Sequence, residues 1–200
     1  MFPYPFSFLA TAESGLAQLD NGFYMELDGV DDYIDMGTSP TYTNVSISFW
    51  VKRTTDPSNE SLFNGTGIFQ WLQFTSNQNY LSYYDGSWNV FSGDVSDDDW
   101  HHVVIINDIS ATEVRSYVDG SLDTTISSYD ATSILYQFGN YNGVSHFLSG
   151  KYDELATWDR VLSTDEITDI YNATDFDTDK CADLNELSGG APTAWYRMGD

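Results

Sequence analysis

The sequence predicts an all-β protein, an antiparallel two-sheet sandwich with one short C-terminal helix, and three observations lead there. Short apolar runs alternate with polar residues at a period of two. Clusters of Gly, Asn, Asp and Ser separate those runs at short spacing. Only one segment repeats its apolar residues at helical spacing.

The clearest strand is "VSISFWVKR", where Val45, Ile47, Phe49 and Val51 alternate with Ser46, Ser48, Trp50 and Lys52. This pattern predicts a half-buried strand. The runs "GIFQWLQF", "NYLSYY", "SWNVFS", "WHHVVIINDI", "EVRSYVDG", "ILYQFGN" and "GKYDELATWDRV" follow as further strands. Between "RSYV" and "SLDTT", Asp119-Gly120 is the favoured pair for a type I′ turn, because both central residues need positive φ. In "STDEITDIYNA", Ser163 and Glu166 form a capping box, and Ile167, Ile170 and Tyr171 share one helical face. Beyond Ala173 the pattern dissolves until a last strand-like "AWYRMGD". The expected organisation is residues 1–22 as an N-terminal arm or first strand, 23–175 as the sandwich, and 176–200 as a C-terminal extension. No fixed-period repeat suggests a solenoid or propeller.

The net charge of −24 comes from 24 aspartates and seven glutamates against seven basic residues. Nucleic acid is excluded as a partner, since displacing counterions from phosphates needs a basic patch. An anionic membrane surface is disfavoured for the same reason, and no apolar run reaches the roughly 18 residues of a membrane-spanning helix. Such acidity keeps a chain soluble and attracts divalent cations. Cys181 is the only cysteine, so no intramolecular disulfide forms. The opening "MFPYPFSFLATAES" lacks a basic n-region and is interrupted by Pro3 and Pro5, which reads as an extended apolar arm rather than a signal peptide.

In order along the chain stand "YMELDGVDDYIDMG", "VSISFWVKR", "DDDWHHVVIIND", "RSYVDGSLDTT" and "GNYNGVSHFLSGKYDELATWDRVLSTDEITDIYN". That series, covering residues 23 to 173, resembles the laminin-G-like, or concanavalin-A-like, jelly-roll family, of the kind found in bacteriophage virion proteins. The resemblance implies two stacked curved antiparallel sheets, with Trp50, Trp100 and Trp158 as core aromatics. Related jelly rolls often hold a structural calcium ion between the first strand region and the strand before the final helix. Here those places read "LDGVDDY" and "GKYDELA". Calcium seeks six to eight oxygens, so Asp28, the Gly29 carbonyl and Asp153, supported by Asp31 or Asp32, form the expected metal site. Acidic turns without an ion are the alternative. The EF-hand order of ligands is absent from this stretch.

Glycosidases on this fold set carboxylates on alternate residues of one inner strand. The nearest approach, Glu26-Leu27-Asp28, lacks a third acid, so the chain is expected not to be an enzyme. His101 and His102, adjacent on a strand, point to opposite faces and cannot chelate one ion together. "YYDGSWNVF" places Tyr83, Tyr84, Asp85, Trp88 and Asn89 around a turn. Flat aromatics beside carboxylates and amides suit a sugar, whose apolar face stacks while its hydroxyls find polar partners. A hairpin whose aromatics pack on neighbouring strands is the alternative.

These readings converge on a non-enzymatic structural and recognition module. "AWYRMGD" resembles a short tail beside laminin-G-like domains in virion proteins of environmental bacteriophages. The expectation is a virion-surface protein, a capsid decoration, head fibre or tail-associated subunit present in many copies. It would join other virion proteins through the N-terminal arm or C-terminal extension, with a cell-surface glycan as ligand. A secreted or cell-surface bacterial adhesin or carbohydrate-binding module is the alternative, and a glycoside hydrolase a weaker one.

Overall fold

The computed structural model describes residues 15–37, 41–54, 59–66, 72–75, 80–84, 87–127, 132–141 and 143–198. The strands are β1 (Gln18–Asp20), β2 (Met25–Asp28), β3 (Ile34–Asp35), β4 (Val45–Thr54), β5 (Glu60–Ser61), β6 (Phe63–Thr66), β7 (Gln73–Phe74) and β8 (Leu81–Tyr84). They continue with β9 (Trp88–Val90), β10 (Asp97–Asp108), β11 (Glu113–Val118), β12 (Ser121–Ser127), β13 (Ile134–Phe138) and β14 (Ser149–Trp158). The helix α1 (Thr164–Asn172) follows, then β15 (Lys180–Ala182) and β16 (Ala194–Tyr196).

A seven-stranded antiparallel sheet runs in the order β12-β11-β10-β4-β14, with β2 and β16 end to end along the far side of β14. Smaller sheets, β3-β13-β6 and β5-β7-β8-β9, lie over one of its faces. The core between them joins Ile47, Phe49, Val103 and Ile105 of the large sheet to Phe63, Phe74, Tyr83 and Phe138. This is the expected all-β sandwich with one helix.

The strand predicted to be half-buried is buried on both faces. Its polar face does not meet water, because α1 and the segment after it cover that side: Val104, Ile106, Ala156 and Trp158 pack against Ile167, Ile170, Leu184 and Leu187. The two serines tolerate burial because each has a partner. Ser46 Oγ donates to the Arg160 carbonyl and accepts from the Leu162 N–H, and Ser48 Oγ lies 2.8 Å from His102 Nε2. The capping box forms as expected, with the Glu166 N–H on Ser163 Oγ and the Ser163 N–H on the Glu166 carboxylate. Asp119 and Gly120 both have positive φ, and the turn packs on Tyr171. Buried Arg53 pairs with Glu60, whose other oxygen accepts from the Ser149 N–H, linking the two layers.

The segment expected as a C-terminal extension packs onto the sandwich. β15 pairs with β1, and β16 pairs with β14 opposite Leu155 to Thr157. A bulge at Glu154, with φ of 52°, separates the two halves of β14 and turns both Asp153 and Glu154 toward this covered side. No described helix is long and apolar enough to cross a membrane.

Candidate functional site

A cleft of about 620 Å³ opens on the helix-bearing side of the large sheet. Cross-strand pairing builds its floor: Trp100 sits opposite Lys52, and His102 opposite Trp50. Trp50 stacks on His102 at 5.1 Å and on Tyr171 of α1 at 5.9 Å, and it meets the edge of Phe176 at 5.0 Å. Phe176 lies face to face with Trp100, with centroids 4.3 Å apart and planes 11° from parallel. Tyr24 completes the wall against Trp100 and carries the Lys151 ammonium over its ring at 4.5 Å. The rim is polar, with Asp99, Asn172, Thr174, Asp175 and Asp177.

The chemistry beneath the cleft is fixed by burial. His102 is completely enclosed, which pushes its imidazole down to about 4 and keeps it neutral. His101, one residue earlier and on the opposite face, is held up at about 9 by its bond to Asp119, aided by Asp97. The two histidines thus serve different sides, as adjacent strand residues must. Trp50 is 4% exposed, and its indole N–H has no acceptor among the described residues.

The sequence missed this cleft. Trp100 was expected in the core, as the resemblance implied; only Trp50 and Trp158 are buried, and Trp100 is partly exposed at the cleft wall. It resumes the pairing of β10 with β4 after the irregularity that follows Asp97, and the cleft leaves one side of it open. Phe176 was the available signal: a lone aromatic within "TDFDTD" must find an apolar surface elsewhere in the fold.

The expected sugar-binding turn divides. Tyr83 is 0% exposed and packs on Phe91 in the core, a correction that follows from strand alternation, since Tyr83 and Tyr84 face opposite ways. Tyr84 and Trp88 are directly paired, 39% and 48% exposed, with ring centroids 5.3 Å apart. Asn89 donates from its side chain to the Ser87 carbonyl, and Asp85 lies outside the described residues.

The expected metal set divides as well. Asp28, Asp31 and Asp32 gather on an exposed turn around Gly29, one oxygen of each within 4.8 Å of the others. Part of that set already holds its own turn: Asp28 Oδ1 accepts from the Val30 N–H, and Asp32 Oδ2 from the Asp28 N–H. Asp153 is not among them. The register sets Asp28 opposite Ser149 and Asp153 opposite Trp50, four residues or roughly 13 Å further along β14. Asp153 is instead buried, accepting from Asn21 Nδ2 and from the Glu154 N–H. Glu154 accepts from Trp195 Nε1 at 2.7 Å and from Asn21 Nδ2. Three exposed carboxylates on one side fit a hard cation that keeps much of its water; Asp153 does not contribute.

Burial raises both of these acids, Asp153 to about 6 and Glu154 to about 7, and the Asp153 charge lifts Glu154 further. Cys181 beside them is pushed up to about 12 by burial and by Glu154, so it is no nucleophile.

Comparison with known proteins places this architecture. The chain aligns with a putative carbohydrate-binding protein from Bacteroides ovatus at a TM-score of 0.62 and 11% identity, over 92% of this chain and 52% of that one, about half its length. Domain 4 of an extracellular arabinanase from Geobacillus stearothermophilus, solved with arabinotriose, gives 0.54 and 16% over 77% and 80%. The CBM40 of a Ruminococcus gnavus IT-sialidase, bound to α2,3-sialyllactose, gives 0.52 and 16% over 77% and 97%. A search of curated proteins finds no match. At these identities the structures establish a shared fold, and the sequence model for the laminin G type matches residues 28–168, most of the chain, so this protein belongs to the concanavalin A-like lectin/glucanases superfamily.

Proposed function

We propose that this protein is a non-catalytic glycan-recognition module displayed on a surface, and that the cleft walled by Trp100 and Phe176 is its ligand site. The observation behind this reading is the cleft itself, where partly exposed aromatic rings stand beside amide, hydroxyl and carboxylate groups. A sugar stacks its C–H face on such rings and bonds its hydroxyls to such a rim. Three aligned structures, of a putative carbohydrate-binding protein, a domain solved with arabinotriose and a module bound to sialyllactose, support the reading.

A recognition role is favoured over hydrolysis by where the acids sit. Glycoside hydrolysis needs two carboxyl groups flanking an open cleft, one of them with a raised pKa. The raised pair here, Asp153 and Glu154, is buried, with Glu154 bonded to Trp195 of β16.

The finer reading is a virion-surface protein of a bacteriophage, present in many copies, attached to the particle through its N-terminal arm or C-terminal extension. It rests on the acidic composition and on the resemblance of "AWYRMGD". The alternative remains a cell-surface or secreted bacterial carbohydrate-binding module. Labelling purified particles against this chain separates the two.

A second glycan surface, the Tyr84 and Trp88 pair, is favoured by their exposure. A glycan array probed with the purified chain, Trp100→Ala and Trp88→Ala tests both. The expected result is bound glycan, lost in Trp100→Ala while the β-sheet spectrum persists. Binding that survives Trp100→Ala but vanishes in Trp88→Ala moves the site to the hairpin, and no binding to any glycan overturns the reading.

A further inference from the structure

We propose that residues 2–8 seat in the aromatic cleft of their own chain, so that the N-terminal arm covers the site until a partner or ligand displaces it. Residues 1–14 lie outside the described residues, which start at Gly15. Gly15 to Gln18 wall a groove of about 430 Å³ against Asn172 and Ala173, at the C-terminal end of α1. Asn172 also lines the aromatic cleft, so the two depressions adjoin across that one side chain. The chain is fixed at this point: Gln18 Nε2 donates to the Ala173 carbonyl at 2.9 Å, and β1 pairs with β15. An extended stretch of residues 1–14 spans up to roughly 45 Å, so residues 9–14 suffice to cross Asn172 and deliver the preceding residues to the cleft.

The arm has the chemistry that such a cleft takes. In "MFPYPFSFLATA", Phe2, Tyr4, Phe6 and Phe8 recur at every second residue, and Pro3 and Pro5 favour an extended backbone. A period of two puts all four rings on one side of such a segment. The cleft offers them Trp100, Phe176 and Tyr171 as ring surfaces, and proline brings no N–H that would need an acceptor there. Aromatic-lined grooves take extended proline-containing segments in this manner. Residues 1–12 carry no charge, so the carboxylates of Asp99, Asp175 and Asp177 do not repel them, on a chain of net charge −24. Removing four rings from water drives the docking. The tether at Gly15 holds the arm at high effective concentration beside its own cleft, which favours this occupant over the arm of a second copy. A seated arm and a bound glycan exclude each other, so a partner that takes the arm opens the cleft.

Photo-cross-linking of the whole chain tests this, with the photoreactive p-benzoylphenylalanine in place of Phe6. Irradiation and mass spectrometry are expected to find that position joined to residues 99–101 or 171–177 within a monomer. Cross-links confined to other parts of the chain, or none at all, overturn the docking. The same residues joined only in a covalent dimer also overturn it, and give the cleft to the arm of a second copy. A second measurement needs no probe. The full chain with Phe2→Ser, Tyr4→Ser, Phe6→Ser and Phe8→Ser should show stronger acrylamide quenching of its tryptophan fluorescence than the parent. That increase should be lost when both proteins also carry Trp100→Phe. Unchanged quenching in a variant that keeps the β-sheet spectrum overturns the proposal. Neither readout uses a sugar, so the docking fails or stands separately from the glycan reading.

Discussion

Single residues in this protein are set apart by what covers them. Asp153 is a partner of Asp28 in the sequence-level picture of a metal site, yet the bulge at Glu154 turns both Asp153 and Glu154 inward to Asn21 and Trp195. Because burial raises both pKa values, the folded state holds protons that the unfolded chain releases. Their contribution to stability is fully present below about pH 4, and it is lost as pH rises through about 6 to 7. Glu166 has the opposite sign. Burial works to raise it, but bonds from Arg160, Ser163 and Gly189 outweigh that and hold it at about 2, so its contribution fails only in strong acid. Glu154→Gln keeps an acceptor for Trp195 and removes the titration. Thermal melts at pH 5 and pH 8 should show the variant losing less stability over that interval than the parent; parallel losses would discount the buried pair.

Among the elements, α1 is where sequence and structure agree most closely. Capping is a local exchange between residues three apart, so Ser163 and Glu166 announced it without tertiary information. Ser163→Ala should cost about 1 kcal/mol in denaturant unfolding. Arg160, which chelates Glu166 through both guanidinium nitrogens, should keep the helix in place. The acidic turn after β2 is also local, and of the acids expected to hold calcium it brings together Asp28, Asp31 and Asp32. If calcium binds there, millimolar calcium should raise the melting temperature and Asp31→Asn should abolish the rise, whereas Asp153→Asn should leave it intact. Stabilisation follows RT ln(1 + [L]/Kd), about 2.7 kcal/mol at a hundredfold excess. A calcium response that needs Asp153 would contradict the register of β14.

Across the whole molecule, the two ends of the described chain hold each other. β1 pairs with β15, Asn21 bonds to Asp153 and Glu154, and Arg197 donates to the Asp20 carbonyl. Deletions should therefore divide sharply within the first 22 residues. Removing residues 2 to 14 should leave a folded, soluble sandwich and, on the virion reading proposed above, one that no longer joins purified particles. Removing residues 2 to 22 should lower the melting temperature strongly, because it strips β1 from β15 and leaves two buried acids without their amide. A folded product from the longer deletion would show that the pairing of the ends contributes little.

The sequence by itself determined the fold class, the longer strands, the Asp119-Gly120 turn, the helix and its cap, because each is written in the periodicity or dihedral demands of a few adjacent residues. Only the tertiary structure decided that neither face of β4 meets water, since a period of two cannot reveal that a helix returns to cover the polar side. It likewise decided that Asp153 leaves the metal set, because one bulge and the register of β14 shift the residue away from β2. And it alone assembled the cleft, from Trp50, Trp100, Tyr171 and Phe176. These four lie on three separate stretches of chain, and nothing local in any one of them says that a sheet and a helix will bring them together.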